Sequence, residues 1–244
     1  RILVIGLLSA VIFSSIFMLF GFLNPGKVIA LFNHDRSVID SGTVYLRIVL
    51  ISYLFIGVTF VYNFALRSVG KAAPPMLISA AALVINIFFN YVLIFGNFGA
   101  PRMGVAGAAV ATVIARVVET AILVIYVYAG KSVLAASFRE ITDVTFQFVK
   151  KSYQTIFPVI LNDICWGLAS LVYIAVYGRM GTQAVAAVQI CNTVNQLFQV
   201  AIFGMSSAAA VMVGNSIGAG KEQQAGDYAW KFSILTMLMG ILLG

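Results

Sequence analysis

Residues 76–97 of the chain, MLISAAALVINIFFNYVLIFGN, form an apolar run of 22 residues without a charged side chain. A helix needs about 20 mostly apolar residues to cross the hydrocarbon core of a bilayer. Because a helix satisfies its own backbone hydrogen bonds, it is the structure that such a run adopts in lipid. The run therefore predicts a membrane-spanning helix.

Six further stretches have the same character. They cover residues 2–23, 44–66, 104–129, 154–177, 183–213 and 228–244. Turn-forming residues separate most of the runs, namely Asn24-Pro25-Gly26, Gly70 with Pro74-Pro75, Gly99-Ala100-Pro101, and Gly178 with Gly181. The sequence thus predicts an all-α, polytopic bundle of about seven transmembrane helices, the last of them clipped.

The composition supports lipid as the surrounding medium. The 244 residues are 61% hydrophobic and 9% charged, whereas soluble domains average about 25% charged residues. A soluble core of this size does not hide so much apolar surface. Arg1 at the start and an apolar run at the end lead us to expect a piece of a longer, multi-pass membrane protein.

The positive charges are distributed unevenly between the two sides of the predicted bundle. Arg47 and Arg116 lie within spans. One side holds Arg1, Arg67, Lys71, Lys131, Arg139, Lys150, Lys151, Lys221 and Lys231, and the other holds Lys27, Arg36, Arg102 and Arg179. The richer side is expected in the cytoplasm. Despite a net charge of +7, no basic run interleaved with aromatics occurs, so nucleic acid is not an expected partner.

One segment differs from the apolar runs. Residues 131–151, KSVLAASFREITDVTFQFVKK, mix charges with spaced apolar side chains. We interpret them as a cytoplasmic, partly amphipathic linker; an ordinary long loop is an equal alternative. The expected organisation is four spans in residues 1–130, the linker, and three spans in residues 152–244.

Polar side chains recur on single faces of three spans. The sets are Gln189, Asn192, Asn195, Gln196 and Gln199; Ser79, Asn86, Asn90 and Asn97; and Ser52, Thr59 and Asn63. Such faces line a wet cavity or join helices by hydrogen bonds of about 0.6 kcal/mol each. Joining two helices needs only one or two polar residues per helix, so the five amides in residues 189–199 favour a substrate cavity. Asn86, Asn90 and Asn63 would extend that cavity. For the third set as a whole, joining is the better interpretation.

Asp163 is the sharpest candidate for a cation- or proton-coupling residue. It lies in LNDICWGLASLVYIAVY (161–177), and no Lys or Arg is within one turn of it. A charged carboxylate at the centre of a span costs about 2.5–3.5 kcal/mol. Trp166 and Tyr173 follow on the same face, where aromatic rings suit an organic cation, although rings that merely fill the bundle are at least as plausible. Neighbouring Asn162 joins the predicted cavity.

Arg116 and Glu119 are interpreted differently, as a structural ion pair. They are three residues apart on one helix, which brings opposite charges together. Small residues at Gly107, Ala111 and Ala115, and at Gly204 and Ala208, predict close helix packing.

The sequence holds no signal for an enzyme, a metal site or a cofactor. His34 has no ligand cluster around it. GNSIGAGKEQQ (214–224) lacks the first glycine and the final Ser or Thr of a phosphate loop. No nucleophile–base pair occurs in a plausible setting. We therefore expect no catalytic residue.

Three stretches resemble the multidrug and toxic compound extrusion (MATE) family. RSVGKAAPPMLISAAALVINIFFNYVLIFGNFGAPRMGVAGAAVATVIARVVE (67–119) is similar to the region from its fourth to its sixth helix. PVILNDICWGLASLVYIAVYGRMGTQAVAAVQI (158–190) resembles its seventh helix and the following loop, and VMVGNSIGAGKEQQA (211–225) resembles the end of its eighth.

The resemblance implies helices three to nine of a twelve-helix, two-lobed antiporter with alternating access. It implies monomeric export of amphipathic cations in exchange for H⁺ or Na⁺, across a bacterial-type cytoplasmic membrane. Asp163 matches the family's seventh-helix acid in the pattern N-D/E-x-x-W. Asn90 stands where some branches have a fifth-helix aspartate, which puts first-lobe coupling in doubt.

Two alternatives remain at this stage. One is a flippase of the same superfamily for lipid-linked oligosaccharide or polysaccharide precursors, which would want more arginines in the spans than Arg47 and Arg116. The other is a membrane-embedded enzyme or structural subunit, for which the sequence offers little.

Overall fold

The computed structural model describes residues 2–30, 36–130, 134, 146–180 and 182–243. All regular structure in these ranges is helical, which confirms the all-α polytopic class. The α-helices are α1 (Ile2–Leu23), α2 (Pro25–Ala30), α3 (Arg36–Val49), α4 (Ser52–Ser68), α5 (Ala73–Phe95), α6 (Val105–Ala129), α7 (Phe146–Met180), α8 (Thr182–Gly218) and α9 (Glu222–Leu243), and a short 3-10 turn covers Asn97–Gly99.

Five described helices contain a segment long and apolar enough to cross a membrane. The segments are Ile2–Leu23, Ala73–Phe95, Val105–Ala129, Ile156–Ile174 and Ala187–Gly218. α3 and α4 together form a sixth candidate. The expected seventh span at 228–244 is not among them, because α9 carries Asp227 and Lys231 in its first half.

The second predicted span, 44–66, is not one straight helix. α3 and α4 meet at an angle of 50°. At the junction Ile51 N donates to Ile48 O at 3.3 Å and Tyr53 N donates to Leu50 O at 3.2 Å, so the backbone tightens to three-residue spacing. Leu50 is fully buried there, and its side chain fills the space beside Gly21 of α1. No proline or glycine marks this bend in the sequence.

Prolines expected to separate helices lie inside them instead. Pro74 and Pro75 occupy the first turn of α5, where the missing N–H has no helical partner to lose. Pro158 lies within α7, which begins at Phe146 and continues through it. A proline inside a helix usually breaks or kinks it, but Pro158 does not end α7.

Most of the predicted linker lies outside the described residues. Leu134 and residues 146–151 are the exceptions, and residues 146–151 form the start of α7. Near that start the hydroxyls of Tyr153 and Ser9 are 2.6 Å apart, which joins α7 to α1. Contacts divide the chain into two units, residues 1–166 and 167–244. The division falls inside α7, and the lobe assignment stays a prediction.

The first unit is a packed group of helices in which α6 is central. α6 contacts α3, α4 and α5, and α1 packs on α4. Gly107 permits the α5–α6 approach, since a Cβ added there would lie 2.6 Å from Leu93 O. Gly107, Ala111 and Ala115 are all buried, as the small-residue pattern predicts.

The second unit consists of the end of α7, with α8 packed against α9. Here the small-residue expectation is not met, because Gly204 and Ala208 are both exposed. α8 ends at a glycine-containing turn in which Lys221 N donates to Ser216 O at 2.9 Å. Gly220 adopts φ 71° in that turn, which gives GNSIGAGK a helix-capping role.

The outward faces of the spans are apolar. Phe13, Phe17 and Phe20 of α1 are more than half exposed, and so are Leu83 and Ile87 of α5. An exposed apolar surface of this extent marks contact with lipid or protein rather than with water.

Candidate functional site

Asp163 lies near the middle of the apolar segment Ile156–Ile174 of α7. Its side chain and that of Asn162 are both exposed. Asp163 forms no ion pair with any residue that the structure describes. An acid at this depth needs water, a cation or a proton beside it, so the arrangement suits a coupling site.

Two aromatic residues follow Asp163 along α7. Trp166 is 69% exposed, one turn after the acid. Tyr173 is also exposed, and its ring stacks on Tyr177 with centroids 6.4 Å apart. Indole and phenol rings are side chains that attract organic cations.

The amide row of α8 lies on an uncovered face. Gln189, Asn192, Asn195 and Gln196 are exposed, and Gln199 is half-buried. The hydroxyl of Thr193 donates to the backbone carbonyl oxygen of Gln189, so this hydrogen bond does not involve the amide side chains. The predicted cavity stays a prediction, since most of the other residues meant to line it lie in the first unit.

The polar residues predicted to share one face of α5 make contacts with different partners. Asn90 Nδ2 donates to Asn86 Oδ1 at 2.9 Å, and both side chains are half-buried. Ser79 instead contacts α6. Asn97 does not belong to this face, because α5 ends at Phe95 and Asn97 begins the 3-10 turn.

Asn63 of α4 has a buried side-chain oxygen, Oδ1, without a hydrogen-bond partner within the described part of the chain. An unmet acceptor costs about 1–3 kcal/mol. Asn63 Oδ1 can accept a hydrogen bond that the described residues do not supply, and the predicted cavity role of Asn63 stays a prediction.

Glu119 is the centre of a polar cluster between α5 and α6. Its side chain is 2% exposed. Arg116 Nη1 donates to Glu119 Oε2 at 2.6 Å, and Ser79 Oγ donates to Oε1 at 2.6 Å. The predicted pairing of Arg116 with Glu119 is present, and each carboxylate oxygen has a donor.

Thr120 extends this cluster to α4, and sequence reasoning missed it. Its hydroxyl lies 2.9 Å from that of Thr59, 2.8 Å from Arg116 O and 3.2 Å from Phe55 O. A hydroxyl carries one proton, so when Thr120 donates to a carbonyl, Thr59 donates to Thr120. Thr120 directly follows Glu119 in the sequence, and this position was the signal that could have identified it. For Thr59, the interpretation as a residue that joins helices is confirmed.

The remaining candidates add no ligand set. Among the described residues, no three His, Cys, Asp or Glu side chains gather where they could hold a metal ion. Cys165 and Cys191 are free and exposed. His34 lies outside the described residues.

The MatE family model matches residues 1–92 and 158–244 of the chain. These two ranges cover α1 to most of α5, and α7 from Pro158 to the end of α9. The part left unmatched contains α6 with its Arg116–Glu119 pair.

Curated relatives give the same picture. The probable multidrug resistance protein NorM of Thermotoga maritima is 26% identical over 212 residues, which cover 87% of this chain and 45% of the relative. The probable multidrug resistance protein YoeA of Bacillus subtilis is 28% identical over 194 residues, which cover 79% of this chain and 42% of the relative. The probable multidrug resistance protein NorM of Listeria monocytogenes is 26% identical over 243 residues, which cover 98% of this chain and 53% of the relative.

The chain spans about half the length of the relatives it matches. No solved structure gives a significant match.

Proposed function

Because the chain belongs to the MatE family, we propose that it forms part of a secondary active efflux antiporter for multiple drugs and organic cations. Export is driven by entry of H⁺ or Na⁺, and the two lobes alternate access to a central cavity. The protein resides in a bacterial-type cytoplasmic membrane and acts as a monomer on small amphipathic cations. The family match is the observation that carries this proposal, and the placement of polar residues supports it.

The open amide row of α8 supports a water-filled path. Asn192, Gln196 and Gln199 lie on one stripe within the segment Ala187–Gly218. Hydrocarbon cannot bond the donors and acceptors of amide side chains, and leaving them unmet is costly. A wet cavity meets this demand, and neutral amides bind varied solutes because they both donate and accept hydrogen bonds.

Asp163 is the residue we assign to ion coupling. Its exposed carboxylate lies in the middle of an apolar span and forms no ion pair among the described residues. A carboxylate that alternates between a coupling ion and a cationic substrate links their opposite movements, because one negative charge holds only one of them at a time. Trp166 would hold the apolar body of the substrate beside that charge.

Ion coupling through the first lobe would need a titratable group other than Asn90. An amide does not titrate, and Asn90 donates to Asn86 in the structure. These two amides, with Asn63, would contact the substrate through hydrogen bonds. Asp163 is therefore the acid on which this half of the proposal depends.

The flippase alternative receives less support. A pyrophosphate-linked lipid carries several negative charges and calls for several cationic side chains. Arg116 is already paired with Glu119. The comparisons name multidrug resistance proteins, and we do not favour the alternative.

Growth and efflux of a drug-sensitive bacterial host test the proposal. The protein is expressed from its intact gene, and the host is challenged with amphipathic cations. We expect growth protection and energised efflux of a cationic dye, abolished when the proton gradient or the sodium gradient is collapsed. Dye retention equal to that of the empty-vector host, with the protein present in the membrane, would reject the activity.

A further inference from the structure

Cationic side chains collect at one end of the first unit, where the efflux function gives them no role. Lys71 is exposed in the turn between α4 and α5, and half-buried Arg67 lies one turn before it. Lys150 and Lys151 are exposed near the start of α7. We call these four residues the basic end.

The packing of α1 on α4 shows where this end lies. A Cβ at Gly6 of α1 would lie 3.2 Å from Val61 of α4, and one at Gly21 would lie 2.7 Å from Leu50, just before α4. The two helices are therefore antiparallel. The carboxyl end of α4, which carries Arg67, lies beside the amino end of α1.

α7 reaches the same end through its contact with α1. The hydroxyl of Tyr153 lies 2.6 Å from that of Ser9, in the first half of α1. The segment of α7 that is apolar enough to cross a membrane, Ile156–Ile174, follows Tyr153. Because Lys150 and Lys151 precede Tyr153, they lie on the side where α1 begins and α4 ends.

The basic end lies at the depth of lipid headgroups. The apolar segment Ala73–Phe95 of α5 begins two residues after Lys71. Lys151 precedes the apolar segment of α7 by five residues, which is about 7.5 Å along a helix. The headgroup layer is about 5–8 Å thick on each side of the hydrocarbon core. Ammonium groups at these positions therefore reach the phosphate groups of neighbouring lipids.

No acid among the described residues of the first unit balances these charges. Asp40 belongs to α3, at the far end of the bent α3–α4 pair, Glu119 is buried, and Asp163 lies within the span of α7. Residues 131–145, outside the described residues apart from Leu134, hold two cationic and two acidic side chains. They add no net charge, so the basic end keeps its positive excess.

The turn that carries Lys71 has a counterpart in the second unit. Lys71 follows Gly70, whose φ is 79°, and its N–H donates to the carbonyl oxygen five residues earlier at 2.8 Å. Lys221 follows Gly220, whose φ is 71°, and makes the same bond at 2.9 Å. Each lysine thus ends a helix in the same way, but Glu222 directly follows Lys221. Lys221 is therefore a matched control for Lys71.

A lipid fits the basic end better than a free phosphate does. Met76 and Leu77 of α5 are both more than half exposed and come five and six residues after Lys71. Exposed apolar side chains at that depth contact acyl chains, while the cations hold the phosphate group. A soluble phosphate makes only the second of these contacts.

We propose that the basic end binds anionic phospholipids by their phosphate groups and so anchors the first unit at the membrane surface. Clusters of Lys and Arg beside membrane spans attract such lipids, and each cation near the surface strengthens binding about fivefold. The α8–α9 turn has no such preference, because Lys221 and Lys231 are balanced by Glu222 and Asp227.

Thermal unfolding of the intact protein in detergent tests the proposal. The protein is titrated with phosphatidylglycerol, with phosphatidylcholine of the same acyl chains, or with glycerol phosphate as the soluble headgroup. A lipid that binds the folded protein raises its unfolding temperature, and the concentration for half the shift reports affinity. The variants are Lys71→Gln, Lys71→Arg, Lys221→Gln, and a triple variant that adds Lys150→Gln and Lys151→Gln to Lys71→Gln.

We expect phosphatidylglycerol to raise the unfolding temperature of the wild type more than phosphatidylcholine does. Lys71→Gln should weaken phosphatidylglycerol binding about fivefold and the triple variant more than tenfold. Lys71→Arg and Lys221→Gln should bind as the wild type does, and added salt should weaken binding to the wild type. The single Lys71→Gln variant keeps the test decisive if the triple variant is unstable.

Equal shifts with the two lipids, or wild-type affinity in Lys71→Gln, would overturn the proposal. An equal loss in Lys221→Gln would also overturn it, because it indicates attraction of lipids to any exposed lysine. A shift with glycerol phosphate as large as that with phosphatidylglycerol would indicate a site for free anions instead. Transport takes no part in these measurements, so their outcome is independent of the proposed efflux function.

Discussion

Ser79 Oγ of α5 donates a hydrogen bond to Glu119 Oε1 of α6 at 2.6 Å, across the interface that Gly107 allows to close. The serine is thus bound to a buried carboxylate on the neighbouring helix rather than to its own helix. A contact of this kind orients the acid and, through it, Arg116.

Replacing Ser79 by alanine should destabilise the first unit. The bond has a charged acceptor, and its loss leaves one oxygen of Glu119 buried without a donor, at a cost of about 1.5–3 kcal/mol. Thermal unfolding of the purified protein in detergent measures the effect. Ser68→Ala is the matched control, because Ser68 is exposed and bonds only Ala65 O of its own helix. Equal transition temperatures for the two variants would contradict the role of Ser79.

Adding one methyl group at Gly107 should be harmful. The new Cβ would meet Leu93 O at 2.6 Å, and backbone cannot yield as a flexible side chain can. Overpacking of this kind costs about 1–3 kcal/mol. Gly107→Ala is therefore expected to lower the unfolding temperature.

Gly204→Ala provides the control for that prediction. A Cβ at Gly204 meets nothing within 4 Å, and alanine is the better helix former by about 1 kcal/mol. The variant should unfold at the wild-type temperature or above it. Opposite signs for the two alanine variants are the expected result, and a shared sign would show that the α5–α6 approach is looser than described.

The helical fold was predictable because hydrocarbon leaves the backbone few choices. Runs such as 76–97 need only length and the absence of charge to be recognised, and α5 covers nearly the same residues. The bend between α3 and α4 was not predictable. It follows from the packing of Leu50 beside Gly21, a contact between helices that no local pattern reveals. Likewise Pro158 marks a break by local rules, yet α7 continues through it.

The candidate site was predictable in its residue types but not in its partners. Spacing identified the Arg116–Glu119 pair, because both residues lie on one helix. The same reasoning grouped Ser79 with Asn86, although Ser79 bonds Glu119. Periodicity gives the face of a helix and says nothing about which helix lies opposite. Thr120 was missed for that reason.

Water access to the amide row can be measured with single cysteines. Gln196→Cys, in a background with Cys165 and Cys191 replaced by serine, should react with a membrane-impermeant thiol reagent in intact membranes. The physical reason is that this stripe of α8 is expected to face a wet cavity. Val194→Cys is the control at similar depth on the opposite face of the helix, and it should stay unlabelled. Labelling of Val194→Cys but not of Gln196→Cys would place the row against lipid.

Asp163 carries the central claim, that an acid within a span couples ion entry to substrate export. The most direct test reconstitutes the intact protein in vesicles and follows uptake of a cationic dye against its gradient, driven by an imposed H⁺ or Na⁺ gradient. Asp163→Asn should abolish this uphill movement, whereas Asp227→Asn, which neutralises an exposed acid in the polar first half of α9, should retain it. Uphill transport by correctly folded Asp163→Asn at the wild-type rate would contradict the account.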